Sequence, residues 1–333
     1  MALLATAGTQ RRQSLQNLAF TLKLLVVAGV LCVVAHLIDN AYVYFAGYVV
    51  LQYIVLATAW NILGGYTGYV NFGISAFFAV GAYSTVVLHK LWAPPIPVDI
   101  LVGGVISGII GLGTGYLTLR LRGTFFGIAT LAMAVVAQTL VTNWTYVGGS
   151  RGTYVLRPMK APFLGIDYIE YLCLVMLALS VIVVATARAI ENSRLGTGFA
   201  TIRDDELAAE ASGVPTLRLK LLATALSGGF MGMAGAPLPY YVTYLDPSSG
   251  FSLSTAVNTI AMPLIGGTSS WLGPVIGAVL LGTLQQLATV TISSALSLLI
   301  VGLMLVGFVV AAPNGIIGWF SRAGRSSKGG SRG

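Results

Sequence analysis

Charge is the scarcest property of this chain: Asp, Glu, Lys and Arg together make up 8% of its 333 residues, against 56% hydrophobic ones. One aqueous core cannot hide that much apolar surface, so a soluble globular fold is excluded and a polytopic membrane protein is expected. The two histidines lie far from each other, as do the two cysteines. A metal cluster or a buried acid, base and nucleophile set therefore lacks its parts, which argues against an intramembrane enzyme. Cys32 and Cys173 fall inside apolar runs, where a thiol packs as a small hydrophobe. Asp39, Asp99, Asp167, Glu170, Asp246, His36 and His89 all stand at or near the ends of such runs. Proton-driven carriers hold ionisable groups at membrane depth, so a self-sufficient proton-coupled carrier is disfavoured, while a sodium site of carbonyls and hydroxyls stays open. The chain also lacks a G-x-x-x-x-G-K-[ST] phosphate loop and cannot hydrolyse ATP alone. No small-residue cleavage site follows Ile38, which makes the N-terminal run an uncleaved anchor.

What the chain does have is apolar runs of spanning length, about 17 to 25 residues. They lie at 22–38, 42–63, 70–88, 100–119, 125–141, 168–187, 221–241, 255–290 and 292–312, the eighth interrupted by G-G-T-S-S-W-L-G-P. Counting that one as two, with a re-entrant first half, the expectation is an all-α polytopic membrane protein of about ten transmembrane or re-entrant helices. With the N-terminus in the cytosol, fourteen Lys and Arg fall inside and only Lys90, Arg151, Arg157 and Lys160 outside. The positive-inside rule then puts both termini in the cytosol. The net charge of +8 is thus a topology signal, and its scatter over five cytosolic segments gives no nucleic-acid face. Residues 1–320 read as a single transmembrane domain, with 188–220 a cytosolic loop within it, and 321–333 as a basic, disordered tail.

Arg188 to Lys220 is a polar island between apolar runs, holding five of the ten acidic residues. A short helix is expected there, with Asp204 as N-cap, Asp205 and Glu206 at the positive dipole end, Gly213 in the left-handed terminal position and Pro215 as the stop. Leu207, Ala211 and Val214 form a narrow apolar stripe, leaving Arg203, Glu206 and Glu210 for the polar side. Two turns are well under the ~12 to 15 residues at which an isolated helix becomes marginal in water. Either the protein's own surface or a soluble partner must hold it.

Glycine clusters twice. In N-I-L-G-G-Y-T-G-Y-V-N-F-G-I-S-A-F-F-A-V-G-A-Y, Gly64 and Gly65 are expected to break a helix, with Asn61, Tyr66, Thr67, Asn71 and Ser75 satisfying the freed backbone groups. A broken helix at membrane depth is either buried in protein or lines a cavity, and the second case makes Asn61, Gly64, Gly65, Tyr66, Asn71, Phe72 and Gly73 candidates for a substrate path. A tight turn with close-packing glycines reads the same residues differently. Gly266 and Gly267 open the second cluster, I-G-G-T-S-S-W-L-G-P-V-I-G-A, with Asn258 and Thr259 as polar path candidates before it. The longest outside loop, 143–165, is either a partner contact or a connector.

Taken in order, these glycine segments, L-R-G-T-F-F-G-I-A-T-L-A, N-W-T-Y-V-G-G-S-R-G, the island R-L-G-T-G-F-A-T-I-R-D-D-E-L-A-A-E-A-S-G-V and A-P-N-G-I-I-G resemble the M-type permease subunit of ABC importers for branched-chain amino acids. Permeases for urea and short amides fall in the same broad group. The resemblance runs from Asn61 to Gly318. It implies a non-catalytic subunit of the bacterial cytoplasmic (inner) membrane that pairs with a second, H-type permease subunit, two cytosolic ABC ATPases and an extracytoplasmic solute-binding protein. ATP and Mg would sit on the ATPases, with no cofactor on this chain. Arg203, Asp204, Asp205, Glu206, Leu207, Glu210 and Gly213 would form the ATPase-coupling segment. The common importer pattern E-A-A, three residues, then G is not met literally, as Glu206 is followed by Leu-Ala-Ala with Gly213 seven residues on. Leucine, isoleucine and valine are the solutes the resemblance favours, a urea or short-amide permease the alternative, and a self-sufficient secondary carrier the rival of another class.

Overall fold

The computed structural model describes residues 2–38, 40–118, 123–161 and 165–291, with short pieces at 299, 302–303, 306–307 and 315–318. The expected last span at 292–312, the 321–333 tail and Arg120 and Arg122 lie wholly or largely outside the described residues.

In chain order the helices are α1 (Ala2–Ile38), α2 (Ala41–Thr67), α3 (Ile74–Leu91), α4 (Ile96–Thr118), α5 (Thr124–Thr142) and α6 (Tyr168–Glu191). The island follows as α7 (Arg194–Asp204) and α8 (Glu206–Ala211), then α9 (Thr216–Gly235), α10 (Leu238–Val242), α11 (Pro247–Gly250), α12 (Leu253–Gly266) and α13 (Leu272–Thr291). Eight stretches among the described residues are long and apolar enough to cross a membrane, α9 and α10 together forming one of them. The chain is an all-α polytopic membrane protein. Helix α12 has only 14 residues, about 21 Å at 1.5 Å per residue, too short to cross a hydrocarbon layer of ~30 Å unaided.

Small residues let the helices approach. A Cβ on Gly81 of α3 would lie 2.0 Å from the Gly232 carbonyl oxygen of α9, and one on Gly232 would lie 2.6 Å from that of Gly103 on α4. Three backbones therefore meet where no side chain fits, the close approach that Gly permits in membrane helices. Around this contact the core fills with Leu56, Trp60 and Ile62 of α2, Phe77 of α3, Phe126 of α5, Leu172 and Met176 of α6 and Met231 of α9, all buried. Val26 of α1, Ile109 and Leu117 of α4 and Val135 of α5 face outward, which suits a lipid solvent rather than water.

The glycine pair Gly64-Gly65 does not break α2, contrary to the expectation. The helix continues to Thr67 and ends on Gly68, which takes the left-handed conformation at φ 79°. Residues 68–73 are then a turn, in which Gly73 N donates to Asn71 Oδ1 at 2.7 Å, Trp60 Nε1 to the Asn71 carbonyl at 2.9 Å and Phe72 N to Thr130 Oγ1 at 3.0 Å. Side chains from α2 and α5 thus hold the turn's backbone, so it has no need of a helix. The described part of the loop after α5 is tied down as well: its strand β1 (Thr153–Tyr154) pairs antiparallel with β2 (Tyr244–Leu245).

Candidate functional site

The island is two helices rather than one, and this moves the expected cap. Ser193 caps α7, accepting from the Leu195 and Gly196 amides. Asp204 is the last residue of α7, and it is Asp205 that caps α8, accepting from Leu207 N at 2.9 Å and Ala208 N at 3.1 Å. Asp204 cannot be that cap because α7 already contains it. Gly213 takes φ 82° just after α8, the left-handed end that favours glycine.

The polar side is also reversed in part. Glu206 points inward, where Lys220 Nζ donates to its Oε1 at 2.6 Å and Tyr69 Oη bonds its Oε2. Lys220 also lies 3.3 Å from Tyr69 Oη and is almost wholly buried. A buried cation is stable only when paired and hydrogen-bonded, so this triad fixes α8 to the base of α9 and to the turn after α2. Glu210 accepts from Thr216 Oγ1 at 2.7 Å, closing the α8–α9 connection. Arg203 reaches back to α2, its Nη1 3.4 Å from the Gly65 carbonyl oxygen, while its Nε lies 3.5 Å from Asp204. Of the expected stripe, Leu207 is 61% exposed and Ala211 faces out, while Ala209 makes the buried contact. Val214, the third residue of the stripe, lies past the end of α8 and is half-buried, so Leu207 and Ala211 are the part of it left on the surface.

The two glycine clusters meet beneath the island. A Cβ on Gly65 would lie 2.6 Å from the Thr268 carbonyl oxygen, and one on Gly266 would lie 1.8 Å from that of Gly273. Gly267 adopts φ 114°, which lets α12 turn sharply into the 268–271 link. That link is held by Glu191 at the end of α6, whose Oε2 accepts from Trp271 N at 2.7 Å and lies 3.3 Å from Tyr66 Oη. Gly64 faces the Trp60 indole, and Asn61 is buried one turn before it. Asn71 and Gly73 shape the turn, and Phe72 packs its ring on Gly127. Asn258 lies apart from this group on α12, its Nδ2 3.4 Å from Tyr53 Oη. Its partner Tyr53 lines a cavity of about 130 Å³, together with Gln52 in the middle of α2 and Thr255 in the first turn of α12.

Sequence reasoning missed Glu191, Tyr69 and Lys220. A signal for Lys220 was present: Thr216, Lys220, Ala223, Thr224 and Ser227 are spaced as one helix face, and all are buried.

A family model described as "Branched-chain amino acid transport system / permease component" matches residues 42–309. The chain is 26% identical over 289 residues to the "High-affinity branched-chain amino acid transport system permease protein LivM" of Salmonella typhimurium, covering 80% of this chain and 67% of that protein. The Escherichia coli protein of the same name is 25% identical over the same span and shares. A "Probable branched-chain amino acid transport permease protein LivH" of Methanocaldococcus jannaschii is 23% identical over 268 residues, 74% of this chain and 82% of its own length.

Proposed function

The chain belongs to the family of branched-chain amino acid transport permease components, and from that premise we propose that it is the membrane-spanning permease subunit of an ATP-driven importer for leucine, isoleucine and valine. It forms half of the pathway with an H-type partner permease in the bacterial cytoplasmic membrane. Two cytosolic ABC ATPases carry ATP and Mg, and an extracytoplasmic binding protein delivers the solute.

The observation that carries this reading is the island's two-sided construction. Its inner side is locked to the helix ends by Glu206, Lys220 and Tyr69, while Leu207 on α8 is exposed. A short helix clamped from below and apolar on top suits a groove in a soluble partner. Movement of the ATPase pair on α8 would pass through the triad to the turn after α2, and through Arg203 to the Gly65 carbonyl. The chain's own contribution is mechanical.

Proteoliposomes holding the chain with a partner permease, two ATPases and binding protein test the reading, comparing leucine with urea and omitting one component at a time. Leucine uptake that needs ATP and every component supports it. Uptake by the chain alone makes it a carrier, and uptake of urea in place of leucine changes the solute.

A further inference from the structure

Between α7, the end of α2, the end of α6 and the 268–271 link lies an open cavity of about 310 Å³, lined by Tyr66, Glu191, Gly196, Thr197, Ala200, Arg203 and Ser269. That volume is at the small end of the range for ligand sites, about 300 to 1,000 Å³. Two of its walls carry opposite charges, the Glu191 carboxylate and the Arg203 guanidinium. These do not pair with each other: the only ion pairs within 4.0 Å among the described residues are His36–Glu170, Arg203–Asp204 and Lys220–Glu206. Glu191 is fixed from behind through one oxygen, Oε2, by Trp271 N and Tyr66 Oη. Arg203 is 39% exposed; its Nε lies 3.5 Å from Asp204 Oδ1 and its Nη1 makes a long 3.4 Å bond to the Gly65 carbonyl oxygen. Opposite charges that face one cavity and stay apart are complementary to a small molecule that carries both.

We propose that this cavity binds a free zwitterionic amino acid from the cytosol, its carboxylate on Arg203, its ammonium on Glu191 and its side chain toward Ala200. The proposal rests on the solute class given above and adds a site and a regulatory role. The walls are α7 on one side and, on the other, the end of α6 with Tyr66 and Ser269 from the two glycine clusters. An occupant would bridge them and hold the island in its present position, so accumulated product slows further turnover. Thermodynamically, that requires tighter binding to this arrangement than to the one that follows it.

The test uses the complete transporter without its binding protein or nucleotide and measures [3H]leucine binding by scintillation proximity. Saturable binding is expected, competed by unlabelled leucine but at least about tenfold less well by N-acetyl-leucine and by 3-methylbutylamine, which each lack one charge. Glu191→Gln keeps an acceptor for Trp271 N and removes the charge. It and Arg203→Gln should each weaken binding about tenfold or more, as should Thr197→Trp, which fills the cavity. In proteoliposomes, millimolar leucine on the ATPase side should slow uptake by the unaltered complex and have less effect on the Glu191→Gln one. Leucine binding unchanged in all three variants overturns the inference while leaving leucine import intact. Failure of leucine uptake in the complete system instead removes the solute class beneath both.

Discussion

Lys220 is a buried cation held against one carboxylate and one phenol. Removing one member of such a pair strands the other charge, at a cost of about 3 to 5 kcal/mol. Lys220→Met should therefore lower the thermal midpoint in detergent strongly. Adding Glu206→Gln to it should recover much of the loss, since the stranded carboxylate is gone. If Lys220→Met unfolds no earlier than the parent, the pair is not the clamp described above. The outward residues of α8 behave differently. Leu207→Glu changes a side chain that is 61% exposed and should leave the unfolding transition within about 0.5 kcal/mol, yet the ATPases should no longer copurify with the complex. An unchanged copurification would separate α8 from the partner groove. The difference between Glu206 and Leu207 was not legible in the local sequence. The stripe of Leu207, Ala211 and Val214 is visible at helical spacing, but its direction depends on where α9 and Tyr69 stand, which is a long-range matter. The burial of Lys220 was nearer to legible, since its i−4, i+3, i+4 and i+7 neighbours, Thr216, Ala223, Thr224 and Ser227, are all small.

At the scale of elements, apolar runs predicted their own helices well, because in a bilayer a run of spanning length has few alternatives to a helix. Gly64 and Gly65 were misjudged for the opposite reason. Glycine lowers helix propensity in water, but within packed membrane helices its lack of a Cβ is used for contact, here against Trp60 and Thr268. The turn was placed by Gly68 and Asn71 instead. The same distinction separates glycines that look alike in sequence. Gly81→Ala would drive a methyl to 2.0 Å from the Gly232 carbonyl oxygen, a rigid backbone atom, so α3 and α9 must part and the loss should exceed the about 1 to 3 kcal/mol of ordinary overpacking. Gly29→Ala on α1 meets nothing within 4 Å and should be neutral or slightly stabilising. Parallel thermal unfolding of the two variants checks this, and equal midpoints would contradict the three-backbone contact. Helix α7 went unforeseen because Gly196 and Gly198 weaken the helical pattern. A Cβ on Gly196 would lie 2.3 Å from the Ile190 carbonyl oxygen, so the glycine is what lets α7 fold back onto α6.

For the whole molecule, the distribution of charge and the length of α12 make one joint prediction about sidedness. Lys and Arg crowd toward the island side, and the positive-inside rule assigns that side to the cytosol. Helix α12 enters from the opposite side, beyond the β1–β2 pair, and spans only about 21 Å, so its first residues are recessed below the membrane surface. We expect the cavity lined by Gln52, Tyr53, Phe78 and Thr255 to be that recess, a mouth open to the outside. With Cys32 and Cys173 replaced by alanine, three single cysteines read this arrangement by labelling with a membrane-impermeant maleimide. Tyr154→Cys, 72% exposed in the parent, should label quickly from outside intact cells. Thr255→Cys should label from the same side but more slowly, because the reagent must enter the recess. Thr197→Cys should label only after the cells are opened. Labelling of Thr197→Cys in intact cells would invert the topology. Thr255→Cys that stays unreactive from outside would mean the mouth is closed in the resting complex, leaving the inner cavity beside Glu191 and Arg203 as the one open to water.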